Sequence, residues 1–215
     1  AVLYLASFRT VMTRAARFWD AIPKVPAFDM AQPDNARTRT FSKDEEARVL
    51  AELEKMGRPE VAEFFRFLLQ VGCRFGEAQS LTAGDVCTHE GVTYVTFRKE
   101  TTKTKRQRQV PIGPSPAGII LARAKAHPTG TLWPDLASCS SVHRYFRQAL
   151  AACGLGSEKE LCFHACRHTR ITRMLAAGVQ LIEAAAVAGH TNLATTRRYT
   201  HLTGAALART TARDL

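Results

Sequence analysis

From Thr82 to Phe97 the apolar residues leave the helical period that most of this chain follows. Val92 and Tyr94 alternate with Thr93, Val95 and Phe97, and a shorter run, Val110-Pro111-Ile112, ends at Gly113. Alternation at period two sends successive side chains to opposite faces, so these runs predict two strands with Lys99 to Gln109 between them. Elsewhere the spacing is helical. Helices are predicted over Leu3–Trp19, from Ser42 to Gly57, over Val61–Val71, and over Ser115–Lys125 and Ser141–Cys153. Two more cover Ala165–Ala177 and Gln180–Val187, parted at Gly178, and a short helix leads into Tyr199. Ser42-Lys43-Asp44-Glu45 is a capping box, with Glu three residues after the capping Ser. Pro59 suits a first helical turn. Ile22-Pro23, Pro26 and Pro33-Asp34-Asn35 mark an irregular linker up to about Phe41, which reads as a domain boundary.

The chain has 215 residues, long enough to bury a full core, and a formal charge of +11. Such a balance suits a polyanionic partner such as nucleic acid, although ribosomal and merely well-solvated basic proteins share it. No apolar run reaches the length of a membrane span, so a soluble, cytoplasmic protein is expected. Six scattered cysteines (73, 87, 139, 153, 162 and 166) do not form the dense framework of a secreted disulfide scaffold and are expected to be reduced. The opening on Ala1, within a helical pattern, reads as that of a fragment.

Chemistry-bearing residues gather between His164 and Tyr199. His164-Ala165-Cys166-Arg167-His168 comes first, then Ala188-Gly189-His190, then Arg197-Arg198-Tyr199. An arginine, imidazoles and a phenol can hold an anionic phosphate and attack it with a side-chain oxygen. His164 and Arg167, three apart, fall on one face of a helix start. Taken singly, each piece has a plainer reading: a helix cap, a helix terminus, a half-buried aromatic. Cys162, His164, Cys166 and His168 also carry metal-ligand side chains, with the two histidines at i and i+4. Alternate helical residues point apart, however, and no Glu follows His164 to act as base. Gly72-Cys73-Arg74-Phe75-Gly76-Glu77 places an acid three residues beyond an arginine, an ion pair that would also fix the guanidinium's aim. Lys99, Lys103, Lys105, Arg106 and Arg108 crowd the connection between the strands, where a basic tip reads as a solvated or phosphate-tracking surface.

Taken together, His164-x-x-Arg167, Gly189-His190 and Tyr199 nine residues after His190 resemble the C-terminal signature of the tyrosine recombinase (phage integrase) family. The resemblance extends to Gly72-x-Arg74-x-x-Glu77 and to the basic hairpin, and it covers about residues 40 to 201. The family carries a lysine eight residues before the Pro of the second strand; from Pro111 this gives Lys103, followed by the usual Thr104, with Lys105 as a rival. Cys166 departs from the aliphatic residue usual inside the His-x-x-Arg segment.

The resemblance implies a mainly α catalytic domain with a small antiparallel β-sheet, an α+β fold shared with type IB topoisomerases, over residues 41–215. Residues 1–40 would be the last helix of a truncated core-binding domain plus linker. A fragment lacking the rest of that clamp is expected to bind, cleave and recombine poorly. Catalytic roles would fall to Arg74, Lys103, His164, Arg167, His190 and the nucleophile Tyr199, with Glu77 in support and Lys99, Lys105, Arg106 and Arg108 on DNA. The reaction would be site-specific cleavage and rejoining of double-stranded DNA through a 3′-phosphotyrosyl link, with no metal and no cofactor. Active enzyme would be a tetramer on two DNA sites, and a monomer or weak oligomer without DNA. In the family a tail such as Thr200 to Leu215 can dock on a neighbouring protomer. DNA relaxation in the manner of a type IB topoisomerase and non-catalytic DNA binding are the alternatives.

Overall fold

The computed structural model describes residues 2–28, 39–102 and 105–190. Among these the elements run α1 (Val2–Arg17), α2 (Lys43–Lys55), α3 (Pro59–Val71), α4 (Phe75–Gln79), β1 (Val86–His89), β2 (Val92–Phe97), β3 (Arg108–Ile112), α5 (Pro114–Ala126), α6 (Cys139–Ala152), α7 (Phe163–Ala176) and α8 (Leu181–Ala188). The chain divides into two units, residues 1–37 and 38–215. In the first, α1 ends with Arg14 and Arg17, cations where the helix dipole favours them. Tyr4, Phe8 and Val11 are exposed on it, and Phe8 meets Phe28 edge-on at 5.7 Å.

The second unit is built around α3. Pro59 opens it at a position whose N–H would be orphaned anyway, and Gly72 closes it in the left-handed region, its N–H bonded to Leu68 O. Phe64, Phe65, Phe67, Leu68 and Leu69 are all buried, so α3 is apolar nearly all round and must be surrounded. α2, α5, α6 and α7 do this. Phe64 meets Trp133 at 4.9 Å and Phe75 at 5.2 Å, while Phe146 stacks on Phe163 at 4.2 Å. Each such buried ring stabilises the fold by roughly 1.5–3 kcal/mol. The capping box forms as expected: Glu45 N–H donates to Ser42 Oγ at 3.1 Å, and Ser42 N–H to Glu45 Oε2 at 2.9 Å. A second, smaller cluster of Ile171, Met174, Leu175, Ala184 and Ala188 joins α7 to α8.

The sheet has three antiparallel strands in the order β1-β2-β3, one more than the alternation predicted. Three of the four β1 residues are exposed, so β1 carries no alternating apolar face to read. Its turn to β2, Glu90-Gly91, has φ of 50° and 78°, the hairpin geometry usually signalled by Asn-Gly rather than Glu-Gly. Val95 stands opposite Val86 and Val110, and Pro111 is tolerated because β3 is an edge strand. β3 begins at Arg108, directly opposite Phe97. Among the described residues no helix is long and apolar enough to cross a membrane.

Candidate active site

Several elements converge on one buried carboxylate. After Gly72 the chain turns, and Arg74 becomes the N-cap of α4. Glu77, in the first turn of α4, accepts the Arg74 N–H on Oε2 at 3.0 Å and Arg74 Nη1 on Oε1 at 2.8 Å. The acid therefore fixes both the main chain and the side chain of this arginine. Arg108 reaches the same carboxylate from β3, with Nη2 at 2.6 Å from Oε2 and Nη1 at 3.3 Å from Oε1. Burial pushes the Glu77 carboxyl up, but the hydrogen bond and charge of Arg108, with the hydrogen bonds from Arg74, outweigh it and hold it below the usual carboxylate range.

Arg167 enters from α7 and is buried. Its Nη1 donates to Gly72 O at 3.3 Å, and its Nη2 is buried with no partner among the described residues. Burial, then the charge of Arg74, brings its guanidinium down to about 10, still protonated at neutral pH. α7 comes close because residue 72 is glycine: a Cβ there would lie 2.8 Å from Arg170 Cγ. Two thiols nearby, Cys73 and Cys166, are fully enclosed. Burial pushes Cys73 up to about 12 and raises Cys166 as well, so the thiol that departs from the aliphatic pattern packs as a small hydrophobe.

α8 ends at Gly189, with φ of 71°, and the next residue, His190, is half-buried with its N–H bonded to Ala185 O at 2.9 Å. A Cβ on Gly189 would stand 2.7 Å from Arg108 Nη1, so the Gly-His turn rests directly on that guanidinium. His164 differs in depth from Arg167: it is exposed, and its ring meets that of buried His168 edge-on at 4.8 Å. Shared helix face therefore does not mean shared depth. Lys103 and Tyr199 lie outside the described residues.

Of the basic hairpin residues, Lys99, Lys105 and Arg106 are exposed, as a surface reading expects. Buried Thr102 shapes this loop, its Oγ1 lying 3.0 Å from Arg106 O and 3.2 Å from Lys99 O. Arg108, grouped with them in sequence, differs in depth. It is no part of the exposed tip but lies enclosed, its Cζ 4.3 Å above the centre of the Phe97 ring. The signal was available, since Arg108, Val110 and Ile112 share one face at period two and the latter two are buried. Arg170, whose stem packs on Gly72, had no such signal. Among the described residues no three His, Cys, Asp or Glu side chains gather as a metal site. Three guanidinium groups around one carboxylate leave this centre positive and suited to a phosphate.

The phage integrase family matches residues 39–205, well over half of the chain. The chain belongs to the phage integrase family. The integrase of Escherichia phage 186 is 25% identical over 201 residues, 93% of this chain and 55% of that protein. The integrase of Haemophilus phage HP1 is 26% identical over 154 residues, 72% of this chain and 41% of that protein. This phage integrase family chain thus spans about half the length of the curated relatives it matches. Among solved structures, the catalytic domain of bacteriophage HP1 integrase superposes with a TM-score of 0.62 at 24% identity, covering 79% of this chain and 90% of that one. The Tn1549 transposon integrase in complex with transposon right end DNA gives 0.69 at 19% identity, over 96% of this chain and 76% of that one. At these identities the likeness is one of fold, a mostly helical domain with a small antiparallel sheet.

Proposed function

We propose that this chain is a site-specific DNA recombinase, cleaving and rejoining double-stranded DNA through a covalent 3′-phosphotyrosyl intermediate. The observation that carries this reading is the buried arginine group, in which Arg167 keeps an N–H without a partner among the described residues beside Arg74 and a single carboxylate. In-line displacement at a phosphodiester builds negative charge on the non-bridging oxygens. Arg74 and Arg167 neutralise it through planar forks, the task that metal ions perform elsewhere, and His190 adds a further donor. Tyr199 is the nucleophile. A phenol with a pKa of about 10 is only about 0.1% ionised at neutral pH, a deficit of roughly 4 kcal/mol that His164 offsets as general base. Lys103 protonates the departing 5′-oxygen. Glu77 holds Arg74, and Lys99, Lys105 and Arg106 grip flanking phosphates.

Residues 1–40 serve in this reading as the last helix of a core-binding domain with its linker, and residues 41–215 as the catalytic domain. The protein acts in the cytoplasm as a tetramer on two DNA sites and is a monomer or weak oligomer without DNA. The covalent link conserves bond energy, so no ATP or metal is required. The test is incubation with labelled genomic fragments from the source, followed by denaturing gels and mapping of covalent adducts. The parent forms an adduct with or without EDTA, whereas Tyr199→Phe binds DNA nearly as well and forms none. A DNA-linked band from Tyr199→Phe overturns the nucleophile. Salt-sensitive binding without any adduct makes the chain a non-catalytic DNA-binding protein, and plasmid relaxation without strand exchange makes it a topoisomerase of type IB.

A further inference from the structure

We propose that Arg108 is a positioning residue that sets Arg74 and the Gly189-His190 turn against the same phosphate; this rests on the recombinase reading above. Four contacts converge on its guanidinium. Both Nη groups donate to Glu77, the acid that also holds the side chain and main chain of Arg74. Phe97 supports its plane at 4.3 Å. Gly189 abuts it so closely that an added Cβ would lie 2.7, 2.8 and 2.9 Å from Nη1, Cζ and Nε. Nε itself is buried with no partner among the described residues. The Arg108 side chain is only 12% exposed against 26% for Arg74, so a DNA phosphate meets Arg74 first.

One rigid, planar cation therefore spans the hairpin, the start of α4 and the C-terminal end of α8. Arg74 lies one carboxylate away from it, and His190 one residue beyond the glycine it touches. Moving Arg108 moves both. Lysine cannot replace it, because an ammonium is a point charge that can neither take both carboxylate oxygens in a fork nor lie flat between Phe97 and Gly189. Glycine at 189 follows from the same geometry, since any Cβ would displace the guanidinium.

The test compares the parent with Arg108→Lys, Arg108→Ala and Gly189→Ala on a fragment that the parent links covalently. At saturating DNA the single-turnover adduct rate of Arg108→Lys falls at least about tenfold, the scale on which small misplacements of catalytic groups act. Its DNA affinity changes less than about threefold and its salt slope is unchanged. A DNA phosphate contact predicts the reverse, weaker binding with a salt slope smaller by about one and an unchanged rate at saturation, and that result overturns the proposal. A rate that falls only in proportion to the unfolded fraction, read from the melting curve, overturns it too. Gly189→Ala reproduces the rate defect in the parent but adds less than about twofold in Arg108→Ala; independent, multiplying effects overturn the coupling. If the parent forms no adduct the recombinase reading fails, and the rise of Tm in inorganic phosphate decides the positioning role. Arg108→Lys, with the same charge, then retains less than half of the parent's rise. An equal rise, or none in the parent, overturns the proposal.

Discussion

Gly72 and Gly189 end two helices in the same left-handed conformation, each comes shortly before a candidate catalytic residue, and each is pressed by an arginine from another element. What presses them differs. At Gly72 the near atoms are Cγ and Cβ of Arg170, the stem where it leaves α7. At Gly189 they are the guanidinium head of Arg108, whose stem belongs to β3. A stem cannot move without its helix, whereas a head can swing if its hydrogen bonds to Glu77 break. The first glycine therefore sets how closely α3 lies on α7, and the second sets where a charged group sits. One contact holds two helices together, the other holds a charged group in place.

The largest expected effect comes from removing the charge that holds the Gly189 side together. Glu77→Gln leaves Arg74, Arg108 and Arg167 around a neutral amide, and stripping one partner from a buried ion pair costs about 3–5 kcal/mol. Urea denaturation measures this, and a loss below about 1 kcal/mol would mean that the arginines find other partners. Gly72→Ala comes next, at about 2–4 kcal/mol, from left-handed strain of roughly 1 kcal/mol plus overpacking against α7. Arg170→Ala in the same chain removes Cγ and should recover part of that loss. Gly189→Ala should cost only about 1–2 kcal/mol, because the obstructing atoms are a displaceable head, while its adduct rate falls as described above. Equal stability losses at the two glycines would abolish the distinction between stem and head.

How much of this was legible beforehand depends on whether an interaction is local. The capping box at Ser42 and the Arg74–Glu77 pair lie within one helical turn, so residue spacing alone exposes them. β1 was hidden because its residues face solvent and its turn lacks the usual dipeptide. Arg108 was legible in principle, two residues before Val110 on the same face, but an arginine beside a run of cations reads as surface charge. The close approach of Arg170 to Gly72 joins residues nearly a hundred positions apart, and no local pattern carries it. His164 and Arg167 share a helix face, yet their depth depends on what packs beside α7. Lys103 and Tyr199 rest on the family pattern, outside the described residues.

Acid separates the two glycines once more, with the smallest effect. The Glu77 carboxyl lies below its ordinary value in the folded chain, against burial, because of Arg108 and Arg74. A carboxyl whose folded pKa is depressed contributes stability that is fully present above its unfolded value and is lost as pH falls through the folded one. Stability measured downward from pH 5 should therefore decline in the parent, in part through Glu77 and in part through Glu45, which Arg39 holds down in the same way. Gly72→Ala leaves both carboxylates with their arginines, so its curve should run parallel to the parent's, offset by a constant amount. Glu77→Gln lacks one titration, and its curve should converge on the parent's as the pH falls. Gly189→Ala shifts Arg108 on the carboxylate and loosens its bonds but leaves Arg74 there, and its curve should fall between the other two. Parallel curves for Gly189→Ala and Gly72→Ala would show that a Cβ at 189 leaves the Arg108–Glu77 bonds intact, and the head would then have to yield by some other route.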